Sequence, residues 1–218
     1  MSVVVIGLNH RTAPLDLLER MAVSEARLPK ALHDLLSRTN VTEGLVLTTC
    51  NRTEVYAVAE RFHGAYSDIR DFLAEVSYLP PEAFSDHLYV HYDTAAAAHL
   101  LSVTAGLDSA VVGESEIQGQ VKVAWERARS EGATGPVLNL LVRHALKAGK
   151  RARTETAIGR NIASVSQAAV AMAHDRLGGL AGKSVLLLGA GDMGEGMAVA
   201  LAGAGVAEVR VANRTRNR

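Results

Sequence analysis

The sequence predicts an α/β protein in two parts: a ferredoxin-like (split βαβ) N-terminal domain with added helices, then a truncated Rossmann-type domain. Three observations predict this fold. Over the first ~90 residues, short apolar runs alternate with amphipathic segments in the order β-α-β-β-α-β. Helical patterns then fill the middle of the chain. A last β-α-β unit carries G-x-G-x-x-G where its first strand meets its helix.

The first part is predicted to contain four strands and three helices. We place the strands, from their apolar runs, at 3–8, 44–49, 53–59 and 87–91. Amphipathic spacing predicts helices at 15–22, 24–38 and 65–78. Ser24 is expected to cap the second helix, because serine side chains satisfy free N–H groups at helix starts.

Helical segments dominate from Asp93, which is predicted to cap the first of them. The helices are predicted at 94–103, 114–131, 136–153 and 164–178. A strand at 184–188, a helix at 192–204 and a strand at 208–212 complete the chain. A full doubly wound domain has about six parallel strands. We therefore expect one domain over residues 1–155 and part of a nucleotide-binding domain over 156–218.

Composition excludes several classes of protein. The chain has 23 basic and 23 acidic residues, 48% hydrophobic residues and one cysteine. This composition argues against disorder, and one cysteine excludes an internal disulfide or a cysteine-cluster metal site. No apolar run approaches the ~20 residues that span a bilayer, and the N-terminus lacks a signal-peptide pattern. We expect a soluble cytoplasmic protein with no metal site.

The glycine-rich segment is the first candidate site. It follows a predicted strand and begins a predicted helix. In this context the N-terminus of the helix can bind a phosphate group. Its residues are Gly189, Ala190, Gly191, Asp192, Met193 and Gly194. Asn213 and Arg214 follow the next strand, where Asp or Glu would favour NAD, so the pair favours the 2′-phosphate of NADP. The alternative for the glycines is a turn of small residues that packs the helix on the strand. The alternative for Arg214 is a solvated tail residue.

Cys50 is the second candidate. It lies on a tight connection between two apolar strands, and the neighbouring Arg52 is expected to favour its thiolate. Single cysteines are more often small buried hydrophobic residues. The polar cluster over 48–54, however, is not explained by packing, and it favours a nucleophile.

Three further groups have both a functional and a structural interpretation. His99, inside an apolar helix, is a core histidine or a general acid/base beside the thiol. Ser109 and Glu114 belong to a polar loop that either binds an anion or caps the next helix. The third group is basic, is either a solvated face or an RNA-backbone contact, and comprises Arg143, Lys147, Lys150, Arg151, Arg153 and Arg160.

These motifs, in this order, resemble the glutamyl-tRNA reductase family. The matching segments are Gly7–Pro14, Thr49–Tyr56, Gly106–Ser109, Gly113–Lys122, Arg153–Gly159 and Gly189–Gly194. The resemblance implies that Cys50 takes the glutamyl group from glutamyl-tRNA as a thioester, which NADPH reduces to glutamate-1-semialdehyde in the first step of tetrapyrrole synthesis. It also implies that His99 is functional.

The family's substrate positions fall on nine residues here: Thr49, Cys50, Asn51, Arg52, Ser109, Glu114, Ser115, Glu116 and Gln120. The resemblance implies that Arg52 binds a carboxylate and Glu114 the α-amino group. It further implies glutamate-1-semialdehyde aminomutase as a partner and a homodimer formed through a C-terminal domain that this sequence lacks. Two alternatives stay open: a thiol-dependent glutamyl-tRNA esterase, and a non-catalytic module that binds tRNA or nucleotide.

Overall fold

A computed structural model describes residues 2–159 and 164–215 of the chain, without the side chains of Phe62 and Asp192. Arg160, one of the predicted basic residues, lies outside the described residues. The chain divides into two compact units, Met1–Ile158 and Gly159–Arg218.

The first unit is built on a four-stranded antiparallel sheet. Its strands are β1 (Ser2–Asn9), β2 (Val41–Thr49), β3 (Arg52–Ala59) and β4 (Tyr89–Tyr92), in the spatial order β2-β3-β1-β4. Every residue of β3 is buried. Because successive side chains of a strand point to opposite faces, both faces of the sheet are covered at this strand.

Six helices cover this sheet. They are α1 (Leu15–Met21), α2 (Leu28–Leu36), α3 (Phe62–Ser77), α4 (Thr94–Ala105), α5 (Glu116–Ser130) and α6 (Pro136–Glu155). Helices α1 and α2 contact α3, whereas α4, α5 and α6 contact one another. The core is continuous from β1 and β3 through Phe72 of α3 to Leu100 of α4 and Val142 of α6.

Two predicted helix caps, Ser24 and Asp93, are wrong. Helix α2 begins at Leu28 and not at Ser24, because Pro29 has no N–H to donate to residue 25 and its ring would clash with that carbonyl. Asp93 precedes α4 but caps no N–H of it. Its carboxylate instead accepts hydrogen bonds from the backbone of Val3, 3.2 Å away, and from the Ser2 hydroxyl.

The second unit contains a βαβ arrangement preceded by a helix. Its described elements are α7 (Val165–Leu177), β5 (Ser184–Leu188), α8 (Asp192–Gly203) and β6 (Glu208–Ala212). Strands β5 and β6 are parallel neighbours. Ser164 caps α7, since its hydroxyl accepts a hydrogen bond from the Gln167 N–H. Val170, Leu180 and Leu201 form the small core.

The described residues contain neither a membrane-spanning helix nor a cluster of metal ligands. No helix in 2–159 or 164–215 is long and apolar enough to cross a membrane. Over the same ranges, no three His, Cys, Asp or Glu side chains are grouped as ligands for a metal ion.

Candidate functional site

Cys50 lies on the two-residue turn that joins β2 to β3. Thr49 pairs with Arg52 at the end of the two strands, so Cys50 and Asn51 form the tip of a hairpin. The Thr49 hydroxyl accepts a hydrogen bond from the Asn51 N–H, and the Asn51 carbonyl accepts one from the His10 N–H. The thiol is therefore presented on an exposed turn whose backbone is held by the sheet.

A buried carboxylate organises the strand next to this turn. Arg52, Glu54 and Tyr56 alternate along β3 and so share one face of the sheet. Glu54 has no solvent exposure, and its two oxygens accept hydrogen bonds from Arg52 Nη1 at 2.6 Å, the Tyr56 hydroxyl at 2.6 Å, the Tyr89 hydroxyl and His99 Nε2 at 3.0 Å. A buried charge needs partners of this kind.

The protonation of Glu54 follows from these contacts. Burial opposes the charged carboxylate, but the hydrogen bond from His99 and the positive charge of Arg52 outweigh burial, and the pKa of Glu54 falls from 4.5 to about 2. Glu54 is thus a carboxylate near neutral pH and can only accept hydrogen bonds. Nε2 of His99 must therefore carry the proton of the hydrogen bond to Glu54.

His99 is also fixed by ring stacking. Its ring lies 4.7 Å from that of His91 and 5.3 Å from that of Tyr89, measured between centroids. The side chain is 12% exposed. One interpretation of the sequence was that His99 is a general acid/base beside the thiol. Among the described residues, however, its hydrogen-bond partner is Glu54, and no hydrogen bond joins it to Cys50.

Arg52 ties the strand to the loop after α4. Its Nη2 donates to the backbone carbonyl of Asp108 at 2.7 Å and to the Asp108 carboxylate at 3.1 Å. The same carboxylate accepts a hydrogen bond from the Asn9 amide and pairs with Arg11. Arg52, only 1% exposed, is thus already bonded to two carboxylates of its own chain.

The polar loop before α5 folds back on that helix. One Glu114 oxygen lies 3.1 Å from the Ser109 hydroxyl, and the other accepts a hydrogen bond from the Glu116 N–H at 2.8 Å. The Ile117 N–H also donates to this carboxylate. The anion at the N-terminus of α5 is therefore Glu114, as the capping interpretation predicts. Ser115 and Glu116 are exposed, and Gln120 is half-buried on α5.

The thiol is not activated in this arrangement. Burial and the negative charges of Glu114 and Glu116 raise the pKa of Cys50, although a backbone hydrogen bond lowers it in part. The expectation that Arg52 favours the thiolate is therefore wrong. The guanidinium is directed to Glu54 and Asp108, whereas the charges that act on Cys50 are acidic.

The predicted basic group separates into inward and outward residues. Arg153 points inward: its guanidinium donates to the Glu114 carbonyl at 2.9 Å and to Gln118 Oε1 at 2.6 Å, as well as to the carbonyls of Thr104 and Gly149. Arg153 therefore fastens the polar loop to α6 and is not available to RNA. Arg151 pairs with Glu155 on the surface.

The glycine-rich segment has the backbone that close phosphate approach requires. Gly189 has a φ of +108°, and its N–H donates to the Ala212 carbonyl at 2.8 Å, which brings the ends of β5 and β6 together. Gly191 faces open space at the start of α8. A Cβ on Gly194 would lie 2.8 Å from the Gly189 carbonyl oxygen. Asn213 and Arg214 are exposed just after β6.

Sequence reasoning missed the organising roles of Glu54 and Asp108. Glu54 is visible in the sequence as a charge inside a run of strand formers, at the i+2 spacing from both Arg52 and Tyr56 that places the three on one face. Asp108 carries no such signal, because its partners lie 56 or more positions away along the chain.

The fold and site define an α/β protein with a hairpin cysteine in one unit and a glycine-rich βαβ segment in the other. A family profile described as "Glutamyl-tRNAGlu reductase, N-terminal domain" matches residues 6–156, and one described as "Shikimate / quinate 5-dehydrogenase" matches residues 171–218. The chain belongs to the glutamyl-tRNA reductase family.

Relatives and a solved structure agree with this assignment. Glutamyl-tRNA reductase of Paenibacillus macerans is 46% identical over 99% of the chain and 49% of the relative, and glutamyl-tRNA reductase 1 of a Nocardioides species is 43% identical over 99% and 50%. The structure of glutamyl-tRNA reductase from Methanopyrus kandleri, 36% identical, aligns with a TM-score of 0.65 over 98% of this chain and 49% of that one. The chain spans about half the length of these proteins.

Proposed function

We propose that this chain carries the acyl-transfer site of a glutamyl-tRNA reductase, with Cys50 as the nucleophile. The observation that carries the proposal is the position of Cys50 on an exposed hairpin tip, two residues from the buried Arg52–Glu54 pair. In this proposal, residues 1–155 form a ferredoxin-like catalytic domain, consistent with the sheet order β2-β3-β1-β4. Residues 156–218 form part of an NADP-binding Rossmann domain.

The first chemical step is a transfer between ester and thioester. Sγ of Cys50 attacks the carbonyl carbon that joins glutamate to the 3′ end of tRNA. The S–C bond forms, the C–O bond to the ribose breaks, and the thiol proton ends on the ribose oxygen that leaves with the tRNA. A thiolate performs this attack well near neutral pH because sulfur is a strong nucleophile.

The raised pKa of Cys50 requires a change when substrate binds. Burial and the negative charges of Glu114 and Glu116 raise the pKa of the thiol and so favour its protonated form. In the proposal both carboxylates are candidate partners for the substrate's α-amino group. An ammonium placed beside them would cancel the negative charge that acts on the thiol, so its pKa would fall. Substrate binding and thiolate formation are coupled in this way.

The residues around the turn have positioning roles in the proposed reaction. Glu54 fixes the tautomer of His99, so that Nδ1 is the nitrogen that can accept or return a proton. Arg52 is bonded to Glu54 and Asp108. To bind a substrate carboxylate, it must either share its contact with Asp108 or exchange it for the substrate. Thr49, Asn51, Ser109, Ser115 and Gln120 remain candidate substrate contacts.

The glycine-rich segment fits a dinucleotide. The positive φ of Gly189, the open space at Gly191 and the tight Gly194–Gly189 contact match the three roles of glycine in G-x-G-x-x-G. Residues Gly189, Ala190, Gly191, Asp192, Met193 and Gly194 would hold the pyrophosphate, with Asn213 and Arg214 at the 2′-phosphate. NADPH, when bound, supplies the hydride that converts the thioester to glutamate-1-semialdehyde, the first step of the route to 5-aminolevulinate and tetrapyrroles.

Two partners beyond glutamyl-tRNA belong to the proposal for the whole enzyme. The aldehyde product is reactive, and glutamate-1-semialdehyde aminomutase would receive it. A second copy of the whole protein would form a homodimer. Both partners are inferred from the family assignment. No contact among the described residues supports them.

Mass spectrometry of the chain after brief incubation with glutamyl-tRNA, without NADPH, tests the proposal. We expect a glutamyl adduct on the peptide that contains Cys50, and none in Cys50→Ser. Unacylated tRNA is the matched control and gives no adduct. Absence of an adduct from a folded chain whose thiol still reacts with iodoacetamide would refute the acyl-transfer function of this chain.

A further inference from the structure

Charge is distributed unevenly over α6. No Asp or Glu occurs from Pro136 to Thr154, in a chain whose basic and acidic residues balance. Arg143, Lys147 and Lys150 are exposed, and their spacing of four and three residues places them on one helical face. We name these three residues the basic stripe. Among the described residues none of the three has an ion-pair partner, whereas Arg151 pairs with Glu155 and Arg153 points inward.

A surface recess continues the basic stripe toward the start of α6. Its volume is about 420 Å³, and its lining comprises Trp125, Arg129, Gly135, Pro136, Asn139 and Arg143. Asn139 lies one helical turn before Arg143, so the recess and the basic stripe share a face of α6. From Asn139 to Lys150 this face extends about 16 Å at a rise of 1.5 Å per residue.

The indole at this recess is held in place from two sides. The Trp125 Nε1–H donates to Asn139 Oδ1 at 2.7 Å, and the Arg129 guanidinium lies 5.0 Å from the centre of the indole ring. A fixed aromatic ring beside guanidinium groups stacks well with a nucleobase or sugar. Exposed, unpaired cations in a row bind successive phosphates.

We propose that the basic stripe and the Trp125 recess form a contact surface for RNA, the stripe for phosphates and the recess for an unstacked nucleotide. Given the proposed function, on which this inference rests, the RNA is the tRNA that carries the glutamyl group. An acidic protein would also be attracted to the cations, but a fixed indole flanked by two arginines favours a nucleotide.

Binding of a fluorescently labelled, unacylated glutamate tRNA to the whole chain, measured by anisotropy across a salt series, tests the proposal. The variant is Arg143→Gln/Lys147→Gln/Lys150→Gln. The control, Arg20→Gln/Lys30→Gln/Arg61→Gln, removes three exposed charges of the same unit, on α1, on α2 and before α3. We expect the stripe variant to bind about 10- to 100-fold more weakly at 0.1 M salt, with a log–log salt slope smaller by roughly 2–3. The control should stay within about threefold.

Trp125 is the chain's single tryptophan, so its emission reports on the recess directly. We expect unlabelled tRNA to change this emission in the parent chain at concentrations that match the anisotropy curve. Equal affinities and salt slopes for the stripe and control variants would overturn the proposal and leave an acidic protein as the candidate partner. An emission that tRNA does not change would remove the recess from the contact surface and overturn that half of the proposal.

A failure of the RNA surface can be distinguished from a failure of the proposed acyl transfer. Cys50→Ser should bind tRNA as the parent does, because the basic stripe does not include the thiol. If the parent chain forms no Cys50 adduct but still binds tRNA in a way that depends on the basic stripe, acyl transfer alone is refuted. Formation of the adduct at the same rate in parent and stripe variant, at tRNA concentrations below saturation, would refute the RNA surface alone.

Discussion

The two units differ in how much of their sheet they bury. In the first unit every residue of β3 is buried, whereas in the second unit Leu186 and Leu188 of β5 are 59% and 81% exposed. The first unit can therefore keep Glu54 away from water with a full set of partners. The second unit has a small core and offers the backbone of a glycine-rich turn. The difference teaches that a buried, fully partnered carboxylate needs a sheet that is covered on both faces, whereas a glycine-rich turn forms beside a strand whose leucines are largely exposed.

The largest effect is expected from Glu54→Gln. An amide cannot balance the buried charge of Arg52, and loss of one partner of a buried ion pair costs about 3–5 kcal/mol. Urea unfolding of the first unit should show this loss of stability. Glu75→Gln, which breaks the exposed pair with Arg38, is the matched control and should cost less than about 1 kcal/mol.

The pH dependence of stability identifies the cause of the Glu54 effect. The folded-state pKa of Glu54 is lowered to about 2 from 4.5, so its contribution is complete above pH 4.5 and is lost as the pH falls toward 2. The stability gap between the parent chain and Glu54→Gln should therefore shrink over this interval. A gap that stayed constant down to pH 2 would contradict an ionic role for Glu54.

Hydrogen exchange compares the two sheets directly. Amides of β1 and β3 lie in the large core, whereas β5 and β6 pack on a small one. We expect amides of β5 to exchange at least about 100-fold faster than those of β3, because local opening costs less where few apolar side chains are buried. Similar protection in both sheets would show that the exposed leucines do not weaken the second unit.

Alanine substitutions at two glycines of α8 distinguish the cost of a close backbone contact from the gain in helix propensity. Gly194→Ala places a Cβ 2.8 Å from a backbone oxygen and should destabilise the second unit by about 1–3 kcal/mol. Gly203→Ala enters open space and should stabilise it by about 0.5–1 kcal/mol. Thermal unfolding monitored on the second unit measures both, and neither variant should alter Cys50 acylation.

The smallest effect is expected at the thiol. Removal of one negative charge in Glu116→Gln should lower the pKa of Cys50, so iodoacetamide should react about twofold faster at pH 7.5. Glu126→Gln, which alters an acid of α5 paired with Lys122, should leave the rate unchanged. A slower reaction in Glu116→Gln would contradict the proposed electrostatic control.

The sequence by itself determined most of the secondary structure and the glycine-rich turn. Strands β5 and β6 lie at the predicted residues, because local apolar runs and glycine spacing suffice to specify them. The hairpin at Cys50 and the outward face of α6 were predicted for the same reason. The start of α2 also has a local cause, Pro29, but the Ser24 cap signal obscured it.

Only the tertiary structure decided what the charged side chains do. The family resemblance implied that Arg52 binds a substrate carboxylate, and Arg153 belonged to a basic group interpreted either as a solvated face or as an RNA contact. In the structure both are bonded to groups of their own chain. Glu54 and Gly149 lie close to them in sequence, but the other partners come from α4, α5 and the loop between those helices. Those partners are 35 or more positions away, at separations that no local pattern encodes. The physical reason is that a buried guanidinium is oriented by the carboxylates and carbonyls that the fold brings within hydrogen-bond distance, and long-range packing supplies most of them.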